Sequence, residues 1–118
     1  MSGGRLPDGL RLSIDAIRDL KANRLVVLDL RGLSDATDFF VIASGTSDAH
    51  VRGIAESVID KLSRSGHRTH HVEGLTGGRW VLLDFVDFVV HLFHPDTRAF
   101  YQLERLWSDA PELITSSS

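Results

Sequence analysis

The sequence predicts a single α/β (α+β) domain in which helices flank a mixed β-sheet of about five strands. A chain of 118 residues falls within the range of about 50 to 250 residues that one domain typically holds. Its composition, 42% hydrophobic and 25% charged, is typical of a globular protein that buries a core. Segments with helical periodicity alternate with short apolar runs in the order α-β-β-α-β-β-β-α. That order favours a mixed sheet with helices packed on it.

The termini differ from the rest of the chain in composition. Residues 1–8 are polar and rich in glycine, so we expect a flexible N-terminus there. The folded domain is expected over residues 9–109. Pro111 and the final serines mark a flexible C-terminal tail over residues 110–118.

The first predicted element is an amphipathic helix over about residues 8–22. Its apolar side chains recur at helical spacing, at Leu10, Ile14, Ile17 and Leu20. Two runs rich in β-branched, leucine and aromatic residues follow, Leu25–Leu30 and Phe39–Ala43. Runs of this kind between polar segments predict buried strands.

The clearest pattern lies between Gly45 and Gly66. Apolar residues recur there at i, i+3, i+4, i+7, i+8 and i+11, and they are Val51, Ile54, Ala55, Val58, Ile59 and Leu62. This spacing predicts a helix with one buried face. Three further strands are predicted, at His67–Val72, Trp80–Phe85 and Asp87–Phe93. Pro95 suits a first helical turn, so a helical segment is expected from Pro95 to Trp107.

Cysteine content, hydropathy and charge exclude several classes of protein. The absence of cysteine excludes a disulfide framework and cysteine-based metal sites. No apolar run approaches the roughly 18 residues of a membrane span, and no targeting segment is visible, so a cytoplasmic protein without membrane contact is expected. Residues 81–118 carry six acidic and two basic groups, and no cluster of Lys and Arg occurs elsewhere. Direct recognition of nucleic acid is therefore not expected.

Candidate catalytic and metal-binding residues lack supporting patterns. Asp29, Asp84 and Asp87 could bind magnesium in a nucleotidyltransferase, but such an enzyme carries an Asp-x-Asp pair on a strand after its Gly-Ser motif, and helical residues follow here. Neighbouring strand histidines such as His70 and His71 point to opposite faces, so they do not readily share an ion. We predict no catalytic residue, no metal and no cofactor.

The last two predicted strands suggest a docking surface instead. Side chains alternate along a strand, so Trp80, Leu82 and Asp84 share one face. Val89 and His91 belong to the corresponding face of the next strand. If the helices cover the opposite face, this one is apolar with an acidic edge and is free to bind a partner. The alternatives are that this face is also covered or that it forms a homodimer.

Several separated motifs occur along the chain in a fixed order. The first group is Asp29, Ser34-Asp35-Ala36-Thr37-Asp38-Phe39-Phe40-Val41-Ile42-Ala43-Ser44-Gly45-Thr46-Ser47, His50-Val51 and Ile54-Ala55. The second is Val72-Glu73-Gly74, Trp80-Val81-Leu82-Leu83-Asp84-Phe85, Asp87, Val89-Val90-His91, Arg98, Tyr101, Leu103-Glu104 and Leu106-Trp107. In order and spacing they resemble the signature of the ribosomal silencing factor (Iojap) family, over about residues 10 to 109.

The resemblance implies a protein that binds the large ribosomal subunit through its fourteenth ribosomal protein. It further implies that the bound protein blocks joining of the small subunit and lowers translation when nutrients are scarce, with a role in large-subunit maturation. The implied fold resembles nucleotidyltransferases without their catalytic carboxylates, and a degenerate nucleotide-binding protein of that shape is the alternative. The implied docking residues are Glu73, Gly74, Trp80, Leu82, Asp84, Asp87, Val89 and His91.

Two positions depart from the family pattern. Val86 stands where the family usually has glycine in the turn between the last two predicted strands, and a β-branched residue resists the positive φ of such turns. We therefore expect a different or strained turn. Asp48-Ala49 replaces the more usual Ser-Arg type of pair at the start of the second helix.

Overall fold

The computed structural model describes residues 6–115. In chain order the elements are α1 (Asp8–Asp19), β1 (Asn23–Asp29), β2 (Phe39–Ser44), α2 (Asp48–Arg64), β3 (His71–Glu73), β4 (Trp80–Asp84), β5 (Phe88–Phe93), α3 (Pro95–Tyr101), α4 (Leu103–Leu106) and β6 (Glu112–Thr115). The predicted mixed sheet with flanking helices is confirmed. It has six strands rather than about five, because residues near the C-terminus form β6.

The strands lie side by side in the order β3-β4-β5-β2-β1-β6. β2 and β5 are parallel, with Phe39 beside Phe88 and Ser44 beside Phe93. The other neighbouring pairs are antiparallel. Parallel pairing needs a crossover connection, which α2 supplies together with β3 and β4. The carboxyl ends of β2 and β5 therefore meet at one edge of the sheet.

Helices α1 and α2 pack on one face of the sheet. The buried residues of α2 all belong to the predicted apolar stripe, and they are Val51, Ile54, Ala55, Val58 and Leu62. The Ser47 side chain caps this helix by accepting a hydrogen bond from the backbone N–H of His50 at 3.1 Å. α1 ends at Asp19, before the predicted end near residue 22, because Lys21 turns the chain with φ of 58°. No helix within residues 6–115 is long and apolar enough to cross a membrane.

The chain after β5 covers part of the opposite face. His94 caps α3 by accepting from the N–H of Asp96, and Gln102 adopts φ of 48°, which divides the predicted helical segment into α3 and α4. Leu103 and Ala110 are buried against side chains of β1, β2 and β5. The half of this face formed by β1 and β2 is therefore covered, whereas the expectation of an open face concerned the strands β4 and β5.

Part of each predicted flexible end belongs to the fold. Residues 112–115, assigned to the tail, form β6 and pair with β1, with Ile114 opposite Val27. Without β6 the backbone of β1 would have an unpaired edge. At the other end Leu6 packs against the core and α1 begins at Asp8, so residues 6–8 also belong to the fold. Residues 1–5 and 116–118 lie outside the described part.

The turn between β4 and β5 is strained at Val86, as expected from its β-branched side chain. Val86 has φ of 75°, in the left-handed region that favours glycine. Its N–H donates to Asp84 Oδ1 at 2.8 Å, and its carbonyl accepts from Thr37 Oγ1 at 3.0 Å. These two bonds hold the residue in a conformation that its side chain disfavours.

We expect Val86→Gly to stabilise the protein by about 1 kcal/mol. The substitution relieves the left-handed strain, whose cost of about 1 to 3 kcal/mol exceeds the entropy that glycine adds to the unfolded chain. Val86 is exposed, so little packing is lost. Denaturant unfolding measures the change, with Val72→Gly in the extended strand β3 as a control that should destabilise. A loss of stability in Val86→Gly would show that the turn is not strained.

Candidate docking surface

Aromatic side chains cover the sheet around β4 and β5 on the face opposite α1 and α2. We call this the aromatic face, and it consists of Phe40, Trp80, His91, Phe93, Tyr101 and Trp107. Trp80 lies against Phe93 and Tyr101, with ring centroids 4.8 and 4.9 Å away. Phe40 meets His91 and Trp107 edge to face, at 4.5 and 5.7 Å. The rings form one continuous layer. Tyr101 of α3 and Trp107, which follows α4, belong to this layer.

Trp80 is held in one orientation by its neighbours. Its indole Nε1–H donates to Nδ1 of His91 at 3.1 Å, across the β4–β5 pair. Trp80 is half-buried, whereas His91 is 4% exposed. An aromatic side chain that is fixed and still partly exposed loses little conformational entropy when it binds a partner. This is the property expected of an interface anchor.

His91 is neutral in the folded protein at neutral pH. Burial lowers the pKa of His91 from 6.5 to about 4. Since Nδ1 accepts the indole hydrogen, the neutral ring carries its own hydrogen on Nε2. Nε2 is buried and has no hydrogen-bond partner among residues 6–115.

Stability should therefore fall as the pH drops from about 6.5 toward 4. In this range the unfolded chain binds a proton at His91 and the folded chain does not. The resulting decrease in the free energy of unfolding approaches about 3 kcal/mol. Unfolding free energies of the wild type and His91→Gln, measured across this range, should diverge by this amount. His70→Gln, at an exposed position, should retain the wild-type pH dependence. Parallel curves for the wild type and His91→Gln would contradict the assignment.

A depression of about 260 Å³ opens on the aromatic face. Four predicted docking residues line it, namely Leu82, Asp84, Val89 and His91. Sequence reasoning did not identify Phe40, Thr37 and Trp107, which also line it. The alternation in β2 places Phe40 on this face, but nothing in the sequence indicates that Trp107 folds back over it. The walls are mainly apolar, with Asp84 supplying a carboxylate.

The two aspartates occupy different places. Asp84 lines the depression, and its Oδ1 accepts the N–H of Val86, so it also shapes the turn. Asp87 is exposed and lies outside the depression, beside Phe85 and Phe88 at the end of the sheet near α1. The carboxylate of Asp84 is therefore hydrogen-bonded within the turn, whereas the exposed carboxylate of Asp87 can attract a basic partner at a distance.

Glu73 and Gly74 lie at the β3–β4 connection. Glu73 is exposed and its carboxylate contacts His71 Nε2 at 2.7 Å. Gly74 has φ of 76°, and a Cβ there would lie 2.1 Å from the carbonyl oxygen of Trp80. The absence of a side chain at Gly74 therefore lets the β3–β4 connection pass close to the backbone of Trp80. This close contact helps to position Trp80.

The structure separates the groups considered for catalysis. Asp29 and Asp84 lie on β1 and β4, three strand spacings apart, which is about 14 Å. The guanidinium of Arg31 binds Asp29 and lowers the pKa of that carboxyl. In the described chain no group of three or more His, Asp or Glu side chains could hold a metal ion.

Known proteins resemble this chain along most of its length. The family model described as "Ribosomal silencing factor during starvation" matches residues 5–118. A ribosomal silencing factor of Halalkalibacterium halodurans is 43% identical over 102 residues, which are 86% of this chain and 87% of that protein. A crystal structure of a Chromobacterium violaceum protein superposes with a TM-score of 0.83 at 35% identity, covering 86% of this chain and 84% of that one.

A mammalian relative adds a second description. The mouse protein named "Mitochondrial assembly of ribosomal large subunit protein 1" is 31% identical over 98 residues. These residues are 80% of this chain and 43% of that protein, so the chain spans less than half of its length. The match along nearly the whole sequence and the shared fold agree, and the chain belongs to the ribosomal silencing factor family.

Proposed function

We propose that the aromatic face docks on the fourteenth protein of the large ribosomal subunit and thereby blocks joining of the small subunit. The observation that supports this most strongly is Trp80, which is fixed by His91 but only half-buried. Beside it lies an apolar depression with Asp84 in its lining. Aromatic anchors at the centre of an interface carry much of the binding free energy.

The charges favour a basic protein as the partner. The chain has a net charge of −3, so rRNA phosphates repel it. Asp84 and Glu73 place carboxylates in and beside the aromatic face, where Lys and Arg of a partner can approach. Asp87 adds an exposed carboxylate at the end of the sheet near α1. Complementary charges mainly accelerate association and select the partner. A cytoplasmic location, where ribosomes assemble and join, fits this role.

Silencing by this route is steric. A protein bound on the intersubunit surface occupies space that the small subunit needs, so no turnover, cofactor or nucleotide is required. A role in large-subunit maturation accords with the name of the mouse relative. The same bound protein can serve both roles, because each requires attachment to the large subunit.

Cosedimentation with isolated subunits tests the proposal. We expect the protein to pellet with the large subunit and not with the small one, and an excess of protein to reduce the formation of joined ribosomes. Equal pelleting with both subunits, or unchanged joining at saturating protein, would contradict it. Sedimentation at several protein concentrations tests the alternative in which the aromatic face forms a homodimer.

Reversing the free carboxylate should slow docking. Asp87→Lys is expected to reduce the association rate with the large subunit at low salt, and the difference from wild type should shrink as salt shortens the screening length to about 8 Å and below. Glu56→Lys makes the same charge change at an exposed position on α2 and should change the rate less. Equal rates for Asp87→Lys and wild type at both salt concentrations would exclude steering by Asp87.

A further inference from the structure

A second depression, of about 270 Å³, lies beside α3 and α4. It is lined by Arg24, Arg98, Ala99, Gln102, Glu104 and Arg105. None of these residues lines the depression of the aromatic face. Three guanidinium groups and one carboxylate give the lining a formal charge of +2, in a chain whose net charge is −3. This concentration of positive charge is not used by the proposed docking function.

Arg98 is the buried centre of this depression. It is 3% exposed, its Nε donates to Glu104 Oε2 at 3.0 Å, and its Nη1 donates to Ser44 Oγ at 2.9 Å. Nη2 is also buried but has no hydrogen-bond partner within residues 6–115. A buried charged donor without an acceptor is costly, so a ligand that supplies an acceptor oxygen there is favoured.

Glu104 has the opposite requirement. Its Oε1 is buried and likewise has no partner in the described part of the chain. An ionised carboxylate only accepts hydrogen bonds, so Oε1 needs a donor. A ligand group that presents an acceptor and a donor side by side would satisfy both Arg98 and Glu104. A sulfate ion or a phosphodiester offers only acceptors at neutral pH, whereas a phosphate monoester near its second pKa of about 6 also carries an O–H.

Two more arginines lie at the mouth of this depression. Arg24 adopts φ of 53° beside a register shift in β1, and its side chain makes no hydrogen bond or ion pair among the described residues. Arg105 donates to Gln102 Oε1 at 2.8 Å from Nη1 alone. Guanidinium groups match phosphate oxygens in geometry and charge.

We propose that this depression binds a phosphate monoester group that carries one proton. Arg24, Arg98 and Arg105 hold the phosphate oxygens, and the P–O–H donates to Glu104 Oε1. Inorganic phosphate and the terminal phosphate of a nucleotide share this chemistry. The diester backbone of RNA lacks the hydrogen and fits poorly.

Calorimetric titration of the full chain at about pH 6 tests the proposal. Inorganic phosphate and a nucleoside 5′-monophosphate should bind about tenfold more tightly than sulfate and a dinucleoside monophosphate, because the latter pair leave Glu104 Oε1 unpaired. Tighter binding of the nucleotide than of phosphate identifies a nucleotide as the ligand, and equal binding identifies the phosphate group alone. Equal affinity for phosphate and sulfate, or no heat change at about 10 mM phosphate, would overturn the proposal.

Variants locate the site. Arg24→Gln and Arg105→Gln, both at exposed positions, should each weaken phosphate binding about tenfold. Arg64→Gln on α2 is the matched control and should bind as wild type. Glu104→Gln should remove the preference for phosphate over sulfate, with circular dichroism as a check of its fold. Phosphate binding that survives unchanged in both Arg24→Gln and Arg105→Gln would place it elsewhere and overturn the assignment.

Discussion

Trp80→Ala is expected to weaken binding to the large ribosomal subunit by about 2 kcal/mol or more, or at least about thirtyfold in Kd. The substitution removes the half-buried ring that lies against Phe93 and Tyr101 and donates to His91. Those contacts also stabilise the fold, so some loss of stability should accompany the loss of affinity. Binding is therefore measured on the folded fraction, below the unfolding transition.

Two further variants separate docking from folding. Trp80→Phe keeps a ring on Phe93 but removes the hydrogen bond to His91, so an intermediate affinity is expected. Leu20→Ala truncates an exposed apolar residue at the end of α1 and should leave affinity unchanged. If folded Trp80→Ala binds as tightly as wild type, Trp80 stabilises the fold only and the docking surface is misassigned.

Gly74→Ala should cause the largest loss of stability among single-methyl additions at the proposed site, about 2 to 4 kcal/mol. The added Cβ would lie 2.1 Å from the carbonyl oxygen of Trp80, so the backbone must shift, and φ of 76° is also unfavourable for alanine. Because the clash is with Trp80, the shift should move the indole and reduce affinity for the large subunit as well.

Gly32→Ala is the matched control for this effect. Gly32 has φ of 84°, but nothing lies within 4 Å of an added Cβ, so only the conformational cost of about 1 kcal/mol applies. Denaturant unfolding compares the two variants. Similar losses of stability in Gly74→Ala and Gly32→Ala would show that the close approach to Trp80 is unimportant.

The sequence predicts the fold well where one periodic pattern dominates. The stripe from Val51 to Leu62 predicts α2 and its buried face, and alternation in β4 and β5 places Val81 and Trp80 on opposite faces as observed. The sequence analysis does not predict β6, because a run of four residues is too short to show a recognisable strand pattern. Its place in the sheet depends on pairing with β1. Gln102 separates α3 from α4 because its backbone adopts the left-handed conformation. Glycine is the residue that usually signals this conformation, so the sequence does not predict the break at a glutamine.

The candidate site was predicted in part. Strand alternation alone predicts that Leu82, Val89 and His91 share one face of the sheet, because every second side chain of a strand points to the same side. Phe40 and Trp107 meet through tertiary folding, since the chain after α4 returns across the sheet. The ion pair of Arg98 and Glu104 has no recognisable pattern in the sequence, because what distinguishes it is two buried atoms without hydrogen-bond partners among the described residues.

Photo-crosslinking from the depression tests the central claim most directly. A photoreactive amino acid in place of Leu82, which lines the depression on the aromatic face, is irradiated in the presence of large ribosomal subunits. The same amino acid in place of Glu56 on α2 serves as the control. Our account predicts a cross-link from position 82 to the fourteenth protein of the large subunit and none to it from position 56. Cross-links from position 82 only to rRNA, or only to a second copy of this chain, would contradict it.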